Sequence, residues 1–157
     1  MDISNLSVEQ LLELEGQVLK RLGENSTKVK VVVNRCYGGY NVSDILQKAY
    51  QSVTGQKLDP HYYLKHDRAD KVLVYLVERL GEINKEYLRG FCSKLRVETI
   101  DLLPGRTYRI DEYDGMETLE MIPGNFIPNE PLPDNIDELF EKFLVEEGIS
   151  LGKTKLM

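Results

Sequence analysis

Histidine and cysteine are scarce, two of each among 157 residues: His61, His66, Cys36 and Cys92. Neither pair shows C-x-x-C or H-x-x-x-H spacing, so zinc-ligating residue types occur without a zinc arrangement. No metal and no other cofactor is expected. Two histidines and no G-x-S-x-G argue against a Ser-His-Asp hydrolase. The stretch GISLGKT has three residues where a Walker loop needs four between its first glycine and Gly-Lys, and no helix follows to receive a phosphate.

A basic excess is missing too. Lys and Arg number 20 against 26 Asp and Glu, the net charge is −6, and no basic run occurs. General nucleic-acid binding depends on neutralising phosphates with Lys and Arg, so it is not expected. Long apolar runs are absent, which argues against a membrane span, and no signal-like segment is present. Two cysteines are most simply free thiols in a reducing compartment. An intracellular protein without membrane contact is the expectation.

What is present is an ordinary globular composition, 41% hydrophobic and 29% charged, in a chain of a length that buries its own core. Ser7 can cap a first helix, with Gln10 as reciprocal partner, and Leu6 and Leu11 can staple it. Leu11, Leu14, Val18 and Leu22 recur at helical spacing before Gly23. Lys28 to Val33 reads as a buried strand. Ser43 starts a second helix that Gly55 closes. Asp67 or Asp70 starts a third, with Val72, Leu73, Leu76, Val77 and Leu80 on its apolar face. HYYLKH before it reads as an aromatic core corner, and a further helical turn is expected near Lys85 to Phe91.

From residue 95 the period changes to two. LRVETI, TYRIDEY and ETLEMI alternate, and Asp114-Gly115 between the last two is a strong hairpin signal. Four prolines between 123 and 135 exclude regular structure there. Ile136, Leu139, Phe140, Phe143 and Leu144 then share one helical face. The expected fold is α+β: a core domain over 1–122 with a small mixed sheet including the C-terminal hairpin and three or more helices. A proline-rich arm over 123–135, a terminal amphipathic helix over 136–148 and a frayed tail over 149–157 follow. A helix on so long an arm favours burial on a neighbour, hence a homo-oligomer through 123–148.

Two stretches carry the chemistry. Asn34-Arg35-Cys36-Tyr37-Gly38-Gly39 delivers polar groups to the end of what reads as a central strand, a place where ligands commonly bind, and its glycines permit close backbone approach. A two-residue Asp114-Gly115 loop pairs Tyr113 with Met116, Glu112 with Glu117, Ile110 with Leu119 and Tyr108 with Met121. Glu112 and Glu117 then oppose each other on the buried face, which demands a cation between them or a shared proton. Arg35 is the first candidate for that cation and Arg68 the second. Asp70 reads as a helix-start residue. The cluster is either a polar binding site or an Arg-Glu arrangement that closes one end of the sheet.

The blocks VVVNRCYGGYNVS, DRADKVLVYLVERLG and YRIDEYDGMETLE, in that order, resemble an uncharacterised family of small proteins of bacteriophages and large DNA viruses. Its members read N-R-C-Y-G-G-F, R-x-D before an apolar helix, and E-Y-D-G-x-E. The resemblance covers roughly residues 29 to 121 and implies a viral origin and a shared site, without a mechanism. It carries over to Asn34, Arg35, Tyr37, Gly38, Gly39, Ser43, Arg68, Asp70, Glu112, Tyr113, Asp114, Gly115 and Glu117. Tyr40 stands where Phe is usual, and Lys71 where proline is.

The reading that results is a viral accessory protein of the host-cell cytoplasm or the virion. It binds a polar small molecule or peptide through Asn34, Arg35, Tyr37, Gly38, Gly39, Arg68, Glu112, Tyr113 and Glu117. Two alternatives remain: an enzyme using Glu112 or Glu117 as general acid/base, and a structural or virion component.

Overall fold

The structure, a computed structural model, describes residues 7–58, 67–90 and 93–149, with the backbone alone described for 18–24. The HYYLKH corner, His61, His66, Cys92 and the tail from residue 150 lie outside the described residues. Among the described residues the chain is a single α+β domain of four α-helices and two small antiparallel sheets.

Helix α1, Val8–Glu24, starts as its capping residues dictate. Gln10 N donates to Ser7 Oγ at 3.2 Å and Ser7 N to Gln10 Oε1 at 2.8 Å. Its apolar positions are poorly covered: Leu14 is half-buried and Leu11 exposed, while the side chains of Val18 and Leu22 are not among those described.

Strand β1, Thr27–Asn34, pairs antiparallel with β3, Ser93–Leu102, from Thr27 opposite Leu102 to Asn34 opposite Leu95. A two-residue strand β2, Arg89–Gly90, flanks β3 on its other side, after a single 3₁₀ turn at Lys85–Leu88. The sheet order is β1-β3-β2, so β1 is an edge strand and not the central one its valine run suggests. The run is explained by burial on both faces. On one face Val32 and Leu95 meet Leu46 and Tyr50 of α2, Asp44–Thr54, and Leu73, Leu76, Val77 and Leu80 of α3, Lys71–Ile83. On the other, Val29, Val31 and Val33 meet Ala69, Leu102 and the inner face of a hairpin. That hairpin, β4 (Arg106–Tyr113) with β5 (Met116–Pro123), is a separate two-stranded sheet instead of part of one mixed sheet. The result is three layers: helices, sheet, hairpin.

Local signals place the elements. Ser43 Oγ accepts from Leu46 N to start α2, and Gly55 closes it with φ +75°. Asp70, not Asp67, caps α3 by accepting from Val72 N at 2.9 Å; Asp67 instead accepts from Ala69 N in the preceding turn. Lys71 is the first residue of α3, a position that proline also suits.

The arm and last helix correct the sequence expectation. Helix α4, Ile136–Glu146, packs against α2, and Phe140, Phe143 and Leu144 are buried in the domain's own helical core. The arm runs back over the same domain, with Phe126 tilted against Tyr108 at 6.3 Å between ring centroids. The face that called for a neighbour is covered by its own chain, which removes the reason given for self-association through 123–148.

Tyr75 of α3 anchors α4: its ring meets Phe140 edge-on at 5.7 Å and its hydroxyl donates to Asp137. Burial, then this bond, pushes the phenol's pKa up to about 12. Unfolded tyrosine ionises near 10, so the folded state keeps the proton longer. This contribution to stability is complete below about pH 10 and is lost as pH rises through the folded value. Urea midpoints measured across that alkaline window should fall, and Tyr75→Phe should flatten the fall. An unaltered slope would contradict the assignment.

Candidate functional site

Along β1 the N–H and C=O groups of even-numbered residues point away from β3, because Arg35 N bonds Lys94 O and fixes the alternation. At the C-terminal half of that free edge no third strand is needed. Val32 N donates to Arg68 O at 2.8 Å, and Val32 O accepts from Arg68 Nη1 at 3.1 Å. Asn34 N donates to Glu117 Oε1 at 2.8 Å. One arginine's main chain and side chain, with one carboxylate from β5, take the place of a neighbouring strand.

The two side chains also hold each other. Arg68 Nη1 and Nη2 donate to Glu117 Oε1 and Oε2 at 2.7 and 2.8 Å, a bidentate pair in which Arg68 is 5% and Glu117 3% exposed. The Tyr40 ring lies over the guanidinium, with 3.4 Å from Cζ to the ring centroid. Burial pushes the Tyr40 phenol's pKa up, against the lowering influence of Arg68. A charge pair this deep is stable only when its remaining lone pairs and protons have partners, and the β1 edge supplies several of them.

The two turns lock over this pair. Asn34 Nδ2 donates to Cys36 O at 2.7 Å and Gly115 O at 2.8 Å, while its Oδ1 accepts from Lys94 N at 2.8 Å. Gly38 N donates to Asp114 O at 3.1 Å. Asp114 and Gly115 have φ of 51° and 89°, as a two-residue loop of this hand requires. A Cβ on Gly115 would stand 2.1 Å from Gly39 N and 2.5 Å from Gly38 N. The glycines therefore bring the two loops into backbone contact.

The hairpin register matches the sequence reading pair for pair, Glu112 opposite Glu117 included. The chemistry inferred from it needs correcting. Glu117 is buried, but Glu112 is exposed and its Oε1 accepts from Gly115 N at 2.9 Å, capping its own turn. The cause is that β5, not β4, lies against β1, so the tip of β4 overhangs. Among the described residues Glu117 is ion-paired to Arg68, and Glu112 has no ion pair. Arg35, the first candidate for Glu117's partner, instead donates from Nη1 to Glu117 O at 2.9 Å and stands 3.8 Å from Glu98 Oε2.

Thus Asn34, Arg68 and Glu117 belong to a closed internal clasp, with Gly38 and Gly39 in its turn. Outside it remain the half-buried Arg35 and Cys36, the exposed Glu112, and two tyrosines, Tyr37 at 58% and Tyr113 at 80% exposure. Tyr40 was missed as a site-forming residue; its signal was an aromatic directly after the NRCYGG turn.

Compared with known protein families, with curated proteins and with solved structures, the chain finds no match. Among the described residues no cluster of His, Cys, Asp and Glu could hold a metal ion, and no helix is long and apolar enough to cross a membrane.

Proposed function

We propose that the chain is a non-catalytic viral accessory protein that binds a peptide segment of a partner protein at the rim beside the clasp. The observation that carries this reading is the pair Tyr37 and Tyr113, exposed at 58% and 80%. Each is the chain neighbour of a residue in the Gly38–Asp114 hydrogen bond. Tyrosine is enriched at the centres of binding surfaces, as is arginine. The clasp fixes the turns that carry both tyrosines, and Arg35 is tied to it through Glu117 O, which lowers the ordering cost of binding. The resemblance to phage and large DNA virus proteins supports the viral setting, in host cytoplasm or particle. Acid/base catalysis by Glu117 is disfavoured by the commitment of both its oxygens to Arg68.

A photo-crosslinking amino acid placed at 37 or 113 should give a discrete adduct with one partner in infected cells, and one placed at the exposed Arg106 should not. Equal labelling from all three positions, or turnover of a metabolite by the purified protein, would reject the reading. Helix α1 favours a second role as an assembly component, since Val8 and Leu12 are 72% and 62% exposed. Sedimentation of a Val8→Glu/Leu12→Glu variant separates the two: loss of an oligomer with retained crosslinks would assign α1 to assembly.

A further inference from the structure

The clasp closes only half of the free edge of β1. Its N-terminal half points the main-chain groups of Lys28 and Lys30 away from β3, and among the described residues nothing hydrogen-bonds to them. This open edge forms part of a groove of about 690 Å³ between α3 and the arm. Val29, Ala69, Val74, Phe126 and Leu132 give the groove apolar surface. Lys28, Lys30 and Lys71 line it as well, with Glu78 as its one acid. Glu78 is taken by Lys30 at 3.0 Å, and among the described residues neither Lys28 nor Lys71 has an acidic partner. A chain of net charge −6 thus presents, among the described residues, two lysines outside any salt bridge beside an unpaired strand edge, with Asp101 facing Lys28 across the β1–β3 pair.

We infer that this groove binds an extended acidic peptide, which adds as a strand to the edge of β1. Main-chain bonds to Lys28 and Lys30 would supply the pairing, as in other cases of strand addition. Parity sets the sequence it would read. The added strand is antiparallel, so peptide residues whose N–H groups face β1 sit opposite Lys28 and Lys30 and share the sheet face of their side chains, and those positions are acidic. The residues between them turn to the opposite face, where Val29, Ala69 and Phe126 favour an apolar side chain. The ligand is an alternating acidic-apolar segment. Arg68 and Glu117 end the open edge at Val32 and so limit its length to a few residues. This site is separate from the tyrosine rim and does not depend on it.

The probe is fluorescein-labelled Asp-Val-Glu-Val-Asp-amide, titrated with the full chain and followed by fluorescence anisotropy. Saturable binding is expected, weakening with added salt because exposed charges are screened. Lys28→Gln/Lys71→Glu should weaken it about tenfold or more, from loss of two attractions and gain of one repulsion, in a protein that still unfolds cooperatively. Methylating the central Glu nitrogen, which faces β1, should abolish binding. Methylating a Val nitrogen, which faces away, should not. Tyr37→Ala/Tyr113→Ala should bind the probe like the unaltered chain.

No saturation at low salt, equal binding of a Lys-Val-Lys-Val-Lys peptide, or indifference to the position of the methyl group would each overturn the inference. So would sedimentation showing a dimer that Lys28→Pro dissociates, because the occupant of the edge would then be a second copy of β1.

Discussion

Replacing Arg68 with methionine is expected to destabilise the fold by about 3–5 kcal/mol, because it leaves the Glu117 carboxylate buried without its counter-ion. Glu117→Leu should cost a similar amount by stranding the guanidinium under Tyr40. The double replacement should recover most of the loss, since an apolar pair of similar volume removes both buried charges. A residue of roughly 1 kcal/mol should remain, for the bonds that Val32 O and Asn34 N lose. Urea unfolding of the four proteins closes the cycle. Arg109 on the outer face of the hairpin, 2.8 Å from Glu120, is the control, and its replacement should leave the midpoint in place. Single and double variants that all unfold at the original midpoint would contradict the internal clasp.

The second large effect is expected at Gly115. Alanine there suffers twice. The backbone has φ +89°, and the added Cβ would stand 2.1 Å from a backbone nitrogen in the facing loop. Strain at a positive φ costs on the order of 1–3 kcal/mol, and overpacking against main chain adds about 1–3 kcal/mol. Gly115→Ala should therefore destabilise by about 3 kcal/mol or more and separate the two turns. Gly105→Ala separates the causes, because Gly105 has φ +75° with open space around it. It should show the strain alone, about 1 kcal/mol. Equal costs at the two positions would mean that the loops do not touch.

These effects show where sequence reading succeeds and where it stops. The hairpin register was legible because a two-residue Asp-Gly loop fixes parity by local geometry. Ser7, Ser43 and Gly55 were legible for the same reason, since a cap acts within one turn of its own helix. The partner of Glu117 was not. Strand parity shows that a carboxylate faces inward, but the choice between Arg35 and Arg68 depends on which backbone reaches the free edge of β1. The exposure of Glu112 was hidden because it depends on how far the hairpin tip overhangs the sheet. The valine run could not distinguish a central strand from an edge strand whose missing neighbour is replaced by Arg68 and Glu117. The apolar face of α4 announced that it would be buried without saying by which chain. Each failure is a tertiary choice among locally equivalent options.

If the clasp is what joins the two polar blocks, the amides of Val32, Asn34 and Gly38 carry bonds to Arg68, Glu117 and Asp114. The decisive measurement is native-state hydrogen exchange at those three positions. Protection of Val32 and Asn34 should approach that of the β1–β3 ladder. In Arg68→Met that of Asn34 should be lost, because Glu117 is released, while Val32 N keeps its main-chain partner. Gly38 should lose its protection in Gly115→Ala. Exchange of all three at unprotected loop rates in the unaltered protein would show an open rim and contradict the account.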